Sequence, residues 1–196
     1  MKALLSAVLV VSGLFSASAA VFDYSVTLDG PSDGNTSPGT GIGTVAFDDF
    51  LNTLTLTLSF SGLEGTTTAS HIHAPTLVPF TGTAGVATTT PSLANFPLGV
   101  TSGTFSTVLD LTSASSYNPT YITANGGTTA GAEAALAAAM ASGQAYWNIH
   151  TSVFAGGEIR GFLVAVPEPS SLALLGLGGV GLAAVAWRRR LPAKIN

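Results

Sequence analysis

Apolar and polar residues alternate along much of the chain, as they do in strands that bury one face. Between Phe22 and Leu28 every second residue is apolar, and between Leu54 and Phe60 apolar residues alternate with threonine and serine. This period of two is typical of half-buried strands. Similar patterns occupy residues 43–47, 68–73, 104–111, 145–151 and 158–164. Turns rich in Gly, Pro, Ser and Asn separate these segments, so the sequence predicts an all-β sandwich or barrel of about seven to eight strands.

Two segments interrupt this alternation. Residues 75–100 contain four prolines and little periodicity, which predicts a long loop with one short strand near residues 85–89. Residues 130–142 are rich in alanine, and the acidic and apolar residues within them recur at helical spacing. Gly143 suits the position that follows a helix, so this segment is predicted to form one short helix.

The N-terminal end has the layout of a secretory signal peptide. A single charge at Lys2 precedes an apolar run over residues 3–15, and small residues follow it. Cleavage is expected after Ala19 or Ala20, which assigns residues 1–20 to the signal peptide. The alternative is an N-terminal membrane anchor that is never cut.

The C-terminal end combines three features in a fixed order. The motif Val166, Pro167, Glu168, Pro169 precedes an apolar stretch over residues 171–187. This stretch is just long enough for a transmembrane helix. A cluster of basic residues follows at once: Arg188, Arg189 and Arg190. Under the positive-inside rule these arginines place the C-terminus in the cytoplasm and the domain outside.

This ordered set resembles the PEP-CTERM sorting signal of bacteria that make exopolysaccharide. The resemblance implies processing by an exosortase-type enzyme near the motif and delivery to the cell surface or extracellular matrix. The precursor would be anchored in the inner membrane, with residues 166–190 as the signal and 191–196 as a cytoplasmic tail. That tail departs from the family, in which the signal usually stops near the arginines. A plain tail anchor is the alternative.

Composition restricts the functions open to the domain at residues 21–165. The chain has no cysteine, which excludes disulfides, thiolate metal sites and thiol catalysis. Between Val21 and Val166 one cation, Arg160, stands against nine acidic residues. Such a surface repels phosphate backbones, so nucleic acid is excluded as a partner. No serine lies in a Gly-X-Ser-X-Gly motif, and no catalytic residue is assigned.

All three histidines fall at strand positions. The spacing of His71 and His73 places both on one face of a strand, opposite Ile72. If their strands are neighbours, His150 joins them, and three imidazoles form a competent ligand set for zinc or copper. Glu158 is a candidate hydrogen-bond partner for a ligand. The alternative is that these are ordinary polar residues, hydrogen-bonded to backbone or carboxylates.

Glu158 and Arg160 form a second candidate pair. Their i, i+2 spacing directs both to one face of a strand, and Arg160 is the domain's single cation. A structural ion pair between them is the predicted role. A different Asp or Glu on a neighbouring strand is an alternative partner, and substrate binding is an alternative role.

Three sequence blocks together resemble the CHRD domain, named from the developmental protein chordin. They are residues 69–75 with Leu63 before them, residues 146–151, and residues 157–161, in the family's order. The resemblance implies an antiparallel β-sandwich, immunoglobulin-like or superoxide-dismutase-like, of no established catalytic activity. Ala74 and Trp147 depart from the usual Gly and Val.

These observations lead to three functional hypotheses, of which the third is a general protein–protein interaction module, as the CHRD resemblance implies. The first is a non-enzymatic structural or binding module in an exopolysaccharide or biofilm layer. The second is a zinc- or copper-binding protein, or a dismutase-like redox protein, using His71, His73 and His150. Separate faces for the three side chains would contradict the second hypothesis.

Overall fold

A computed structural model describes residues 20–167 of the chain. Residues 1–19 of the predicted signal peptide and all of the predicted sorting signal beyond Pro167 lie outside this range, as do the predicted membrane span and the tail. Eight strands form the framework: β1 (Val21–Asp29), β2 (Thr40–Asp48), β3 (Thr53–Ser61), β4 (Thr67–His73), β5 (Gly103–Asp110), β6 (Tyr146–Thr151), β7 (Ile159–Phe162) and β8 (Val164–Ala165). The all-β fold predicted from the alternation is confirmed.

The strands form one antiparallel sheet in the order β4-β6-β7-β1-β2-β3-β5, with β8 paired to β1. Strands β1, β2, β3 and β5 pair along nearly their full lengths. A second set of pairings brings β4 against β6 and β6 against β7. Strand β4 is therefore the direct neighbour of β6, the condition on which convergence of the three histidines depends.

The sheet curls so that its two ends face each other, consistent with a β-sandwich. Phe105 on β5 packs edge-on against Trp147 on β6, with ring centroids 6.4 Å apart. Alternate residues of the strands fill the space between, as a period of two requires. Leu54, Leu56 and Ile72 are completely buried there. The core therefore fixes the register of the strands that carry the candidate site.

The predicted helix is confirmed, and a shorter helix accompanies it. Helix α1 (Pro119–Ala124) follows an Asn118 cap, and α2 (Thr129–Ala141) ends before Gly143, whose φ of 70° suits a residue that terminates a helix. The single predicted helix is thus corrected to two. Within residues 20–167, neither helix has the length and apolar character needed to cross a membrane.

The long segment between β4 and β5 runs along the free edge of β4 and places Leu93 and Phe96 in the hydrophobic core. Val86 and Thr88 each form an isolated bridge, to His73 and Tyr117, so the predicted short strand at 85–89 is corrected to two single contacts. The amide of Ala87 donates to the carbonyl of Ile72 at 2.9 Å. The segment is a loop attached to the sheet, and it encloses the histidine-bearing face.

Candidate metal centre

Strands β4 and β6 bring the three histidines to one face of the sheet. In their antiparallel register Ala69 lies opposite His150, and His71 lies opposite Asn148. Ile72 points into the core and is fully buried, so His71 and His73 project to the other side. The predicted common face is therefore present.

The three imidazoles converge in space. One ligand nitrogen from each of His71, His73 and His150 lies within 4.8 Å of the other two. The ring centroids are 5.8 Å apart for His71 and His73, 5.2 Å for His71 and His150, and 5.9 Å for His73 and His150. Three zinc–nitrogen bonds of about 2 Å separate the nitrogens by roughly 3.3 Å, so a small inward movement completes the site.

Each imidazole uses one nitrogen to hold a backbone carbonyl oxygen. His71 Nε2 lies 2.7 Å from the oxygen of Pro91, and His73 Nδ1 lies 2.9 Å from that of Ala84. His150 Nδ1 is 3.0 Å from the oxygen of Ala155. A carbonyl only accepts, so these nitrogens carry the hydrogen.

The other nitrogen of each ring has a lone pair and no hydrogen-bond partner among residues 20–167. These atoms are His71 Nδ1, His73 Nε2 and His150 Nε2, and all three are buried. A buried polar atom without a hydrogen bond is costly, because it has lost its water without replacement. A metal ion would remove this cost, and a ring bonded to a carbonyl through its second nitrogen is the usual state of a metal-bound histidine. The residues present therefore fit a transition-metal ion.

Burial favours the neutral form of His71 and His73, which is the form that ligates a metal. Burial lowers the pKa of His73 to about 4, although its hydrogen bond to Ala84 opposes the shift and the charges of His71, His150 and Arg160 add to it. Burial also lowers the pKa of His71, against its hydrogen bond to Pro91 and with a smaller contribution from His150. Both rings are uncharged at neutral pH.

Glu158 lies apart from this cluster. Its carboxylate is fully buried and accepts four hydrogen bonds, from Ser37 Oγ (2.6 Å), the Glu64 amide (2.6 Å), the Gly65 amide (3.1 Å) and Thr151 Oγ1 (2.6 Å). These four donors occupy both oxygens, so the predicted role as a hydrogen-bond partner of a metal ligand is wrong. Burial raises the pKa of this carboxyl, but the hydrogen bonds outweigh burial and leave the pKa below its usual value.

The ion-pair partner of Arg160 is Asp33, and the predicted Glu158–Arg160 pair is corrected. Arg160 Nε lies 3.5 Å from Asp33 Oδ1, on the one-turn helix Pro31–Asp33 that follows β1. The guanidinium also lies 5.1 Å from the centre of the Tyr146 ring, which stacks on His73. Glu158 lies just before β7, and donors from neighbouring turns fix its side chain by hydrogen bonds. The strand alternation that predicted a shared face for Glu158 and Arg160 therefore does not extend to Glu158.

Burial raises the pKa of Asp33, while the charges of Arg160 and His150 act in the opposite direction. The charge of the Asp33 carboxylate is therefore balanced mainly by Arg160. In the described part of the chain, no group donates a hydrogen bond to its second oxygen, Oδ2, which is buried.

Sequence reasoning missed the groups that hold the site in place. Asp33 carries a weak signal, since a Pro-Ser-Asp-Gly turn next to a strand can present an acid to the sheet. The carbonyls of Ala84, Pro91 and Ala155 carry no signal, because every residue has a carbonyl and only the loop path brings these three to the imidazoles.

The start of the predicted sorting motif continues the sheet. The amide of Val166 donates to the carbonyl of Asp23 at 2.8 Å, directly after β8. Pro167 is the last described residue, so the placement of Glu168, Pro169 and the arginine cluster is outside the described range.

Comparison with known proteins agrees with both resemblances. The family model for the CHRD domain matches residues 24–163, and the model for the PEP-CTERM protein-sorting motif matches residues 165–190. Searches of curated proteins and of solved structures find no match. The sorting motif marks an exported protein that is processed by an exosortase-type enzyme and delivered to the cell surface. The chain belongs to the CHRD domain family.

Proposed function

We propose that the mature protein is a non-enzymatic module of the cell surface or extracellular matrix that binds or fills an exopolysaccharide layer. The observation that carries this proposal is the direct junction of a CHRD domain at residues 24–163 with a sorting motif that begins at residue 165. The acidic, threonine- and serine-rich composition suits a hydrated polymer layer. The proposed precursor is anchored in the inner membrane until the motif is cut.

Cell fractionation tests this proposal. We expect the native chain in the surface and matrix fractions, and a triple variant, Pro167→Ala/Glu168→Ala/Pro169→Ala, to remain with the cell membranes. Pro79→Ala, on an exposed loop outside the motif, serves as the control and should be sorted normally. Recovery of the native chain only in the periplasm, with its C-terminal segment intact, would contradict the proposal.

A second candidate function is the binding of zinc or copper at His71, His73 and His150. The observation in its favour is the convergence of three imidazole nitrogens within 4.8 Å. Such a site, with one coordination position left for water, is a familiar arrangement for both metals. A dismutase-like reaction would need a redox-active metal and substrate access in addition, and copper-loaded protein assayed with superoxide tests that step separately.

Elemental analysis and metal titration of the exported chain, purified in mild detergent, test the binding itself. We expect one zinc or copper(II) ion to bind per chain with a dissociation constant below the micromolar range. The double variant His71→Ala/His73→Ala should lose this binding. His150→Gln removes a ligand from the least buried of the three positions and is a second variant that should fold. A native chain that binds no metal at micromolar concentration would rule out this function.

A further inference from the structure

The three histidines are the points at which two loops attach to the sheet. His71 and His73 hold the β4–β5 loop through Pro91 and Ala84, at 2.7 and 2.9 Å. His150 holds the turn between β6 and β7 through Ala155, at 3.0 Å. The same rings whose free nitrogens converge therefore also fix the covering segments in place.

We propose that a bound zinc or copper(II) ion is a structural cross-link that locks these loops onto the sheet; this inference rests on the metal-binding function proposed above. Coordination through His71 Nδ1, His73 Nε2 and His150 Nε2 leaves the opposite nitrogen of each ring protonated and directed at its carbonyl. A coordinated ring cannot rotate away from that carbonyl. The ion thus ties strands β4 and β6 together and holds both loops through the rings.

The β4–β5 loop is the segment that gains most from such a link. Few regular backbone pairings hold it, and it is attached to β4 by separate contacts. The Leu93 amide donates to the Ser70 carbonyl at 3.0 Å, and the Ser70 amide donates to Ser92 Oγ at 3.0 Å. Ala87 and Leu93 are buried in the core while Leu77 and Phe80 are exposed, so the loop is anchored at separate points and opens as a local unit rather than with the whole domain. In a chain without cysteine, a metal ion is the available means of closing such a loop against the sheet.

Hydrogen exchange on the exported chain in mild detergent measures this directly. The reporters are the amides of Ala87 and Leu93, which donate to the carbonyls of Ile72 and Ser70. On addition of one equivalent of zinc, and separately of copper(II), we expect exchange at both amides to slow about tenfold or more, because the ion binds only the closed form.

Two variants distinguish a metal cross-link at the three histidines from a general effect of metal on hydrogen exchange. His150→Gln removes one ligand but no contact to the β4–β5 loop, so the metal-free exchange rates should stay unchanged and the metal-induced slowing should disappear. Ser92→Ala loosens the loop without touching an imidazole, so its metal-free exchange should be faster and should still respond to metal.

The outcomes distinguish this inference from the function on which it rests. Stoichiometric metal binding without slower exchange at Ala87 and Leu93 would overturn the cross-link and leave the metal site standing. Absence of stoichiometric binding would overturn both. Slowing that persists in His150→Gln would also overturn the inference, since it would show that the metal acts elsewhere on the chain.

Discussion

At the scale of single residues, Glu158 shows how the domain stabilises one buried charge. Glu158 is completely buried, yet two hydroxyls and two backbone amides saturate its oxygens. These donors come from three separate stretches of chain, at Ser37, at Glu64 and Gly65, and at Thr151. One carboxylate therefore joins the turns around the end of β7, and its charge strengthens each bond.

Glu158→Gln should lower the free energy of unfolding by about 2–4 kcal/mol, because the neutral amide accepts more weakly and turns its own hydrogens toward existing donors. Urea denaturation at neutral pH measures this. Glu64→Gln alters an exposed side chain and should stay within about 0.5 kcal/mol of the native chain. Equal midpoints for the native chain and Glu158→Gln would show that the buried charge contributes nothing.

The same residue predicts a pH dependence with a defined sign. The folded pKa of Glu158 lies below its unfolded value, so the folded state binds fewer protons in acid. Its contribution is complete above the unfolded pKa of about 4.3 and is lost as the pH falls through the folded pKa. The stability difference between the native chain and Glu158→Gln should therefore shrink below about pH 4.3 in urea melts, and a constant difference would contradict this assignment.

At the scale of elements, one row of residues crosses four neighbouring strands. Asp29 on β1 lies opposite Arg160 on β7, Arg160 opposite Asn148 on β6, and Asn148 opposite His71 on β4. Arg160 connects this row to the one-turn helix after β1 through Asp33. The ion pair therefore holds a short helix against the strands that carry the histidines.

Arg160→Ala should destabilise the domain by about 1–3 kcal/mol, because it leaves the largely buried Asp33 carboxylate without its cation. Adding Asp33→Asn to Arg160→Ala removes the unpaired negative charge. The double variant should therefore recover part of the lost free energy of unfolding. A double-mutant cycle from urea melts measures the coupling. If the two losses simply add, the pair makes no net contribution to stability.

Alternation along the sequence predicted the strands well, since a strand with one buried face imposes that pattern on its own residues. It also placed His71 and His73 together, because two residues on one strand share a face whatever lies beside them. Whether His150 joins these two residues depended on β4 and β6 being neighbours. The sequence could not predict this, because pairing between strands that are distant in the chain leaves no local pattern. Asn118 and the proline after it are a start signal for helix α1, but the helix is too short to show an apolar period.

At the scale of the whole molecule, the family and the export route could be predicted because ordered motifs carry them. The enclosure of the histidine face could not, since it depends on how a loop of irregular sequence folds back over β4. The partner of Arg160 was missed for a related reason: Asp33 lies far along the chain, and the pairing of β1 with β7, which local sequence does not reveal, brings it near. Local patterns thus determined the elements, whereas the lining of the site depended on tertiary packing.

The pairing of β8 with β1 brings the two ends of the described domain to the same end of the sheet. Ala20 and Val166 both lie beside the first residues of β1, where Ala20 contacts Asp49 and Val166 contacts Asp23. The row of residues that leads to His71 crosses β1 at its opposite end, at Asp29. The intervening length of strand is about 20 Å. A tether or surface linkage attached directly at Ala20 or Val166 therefore holds the domain at this end and leaves the histidine-bearing end facing away from the attachment point.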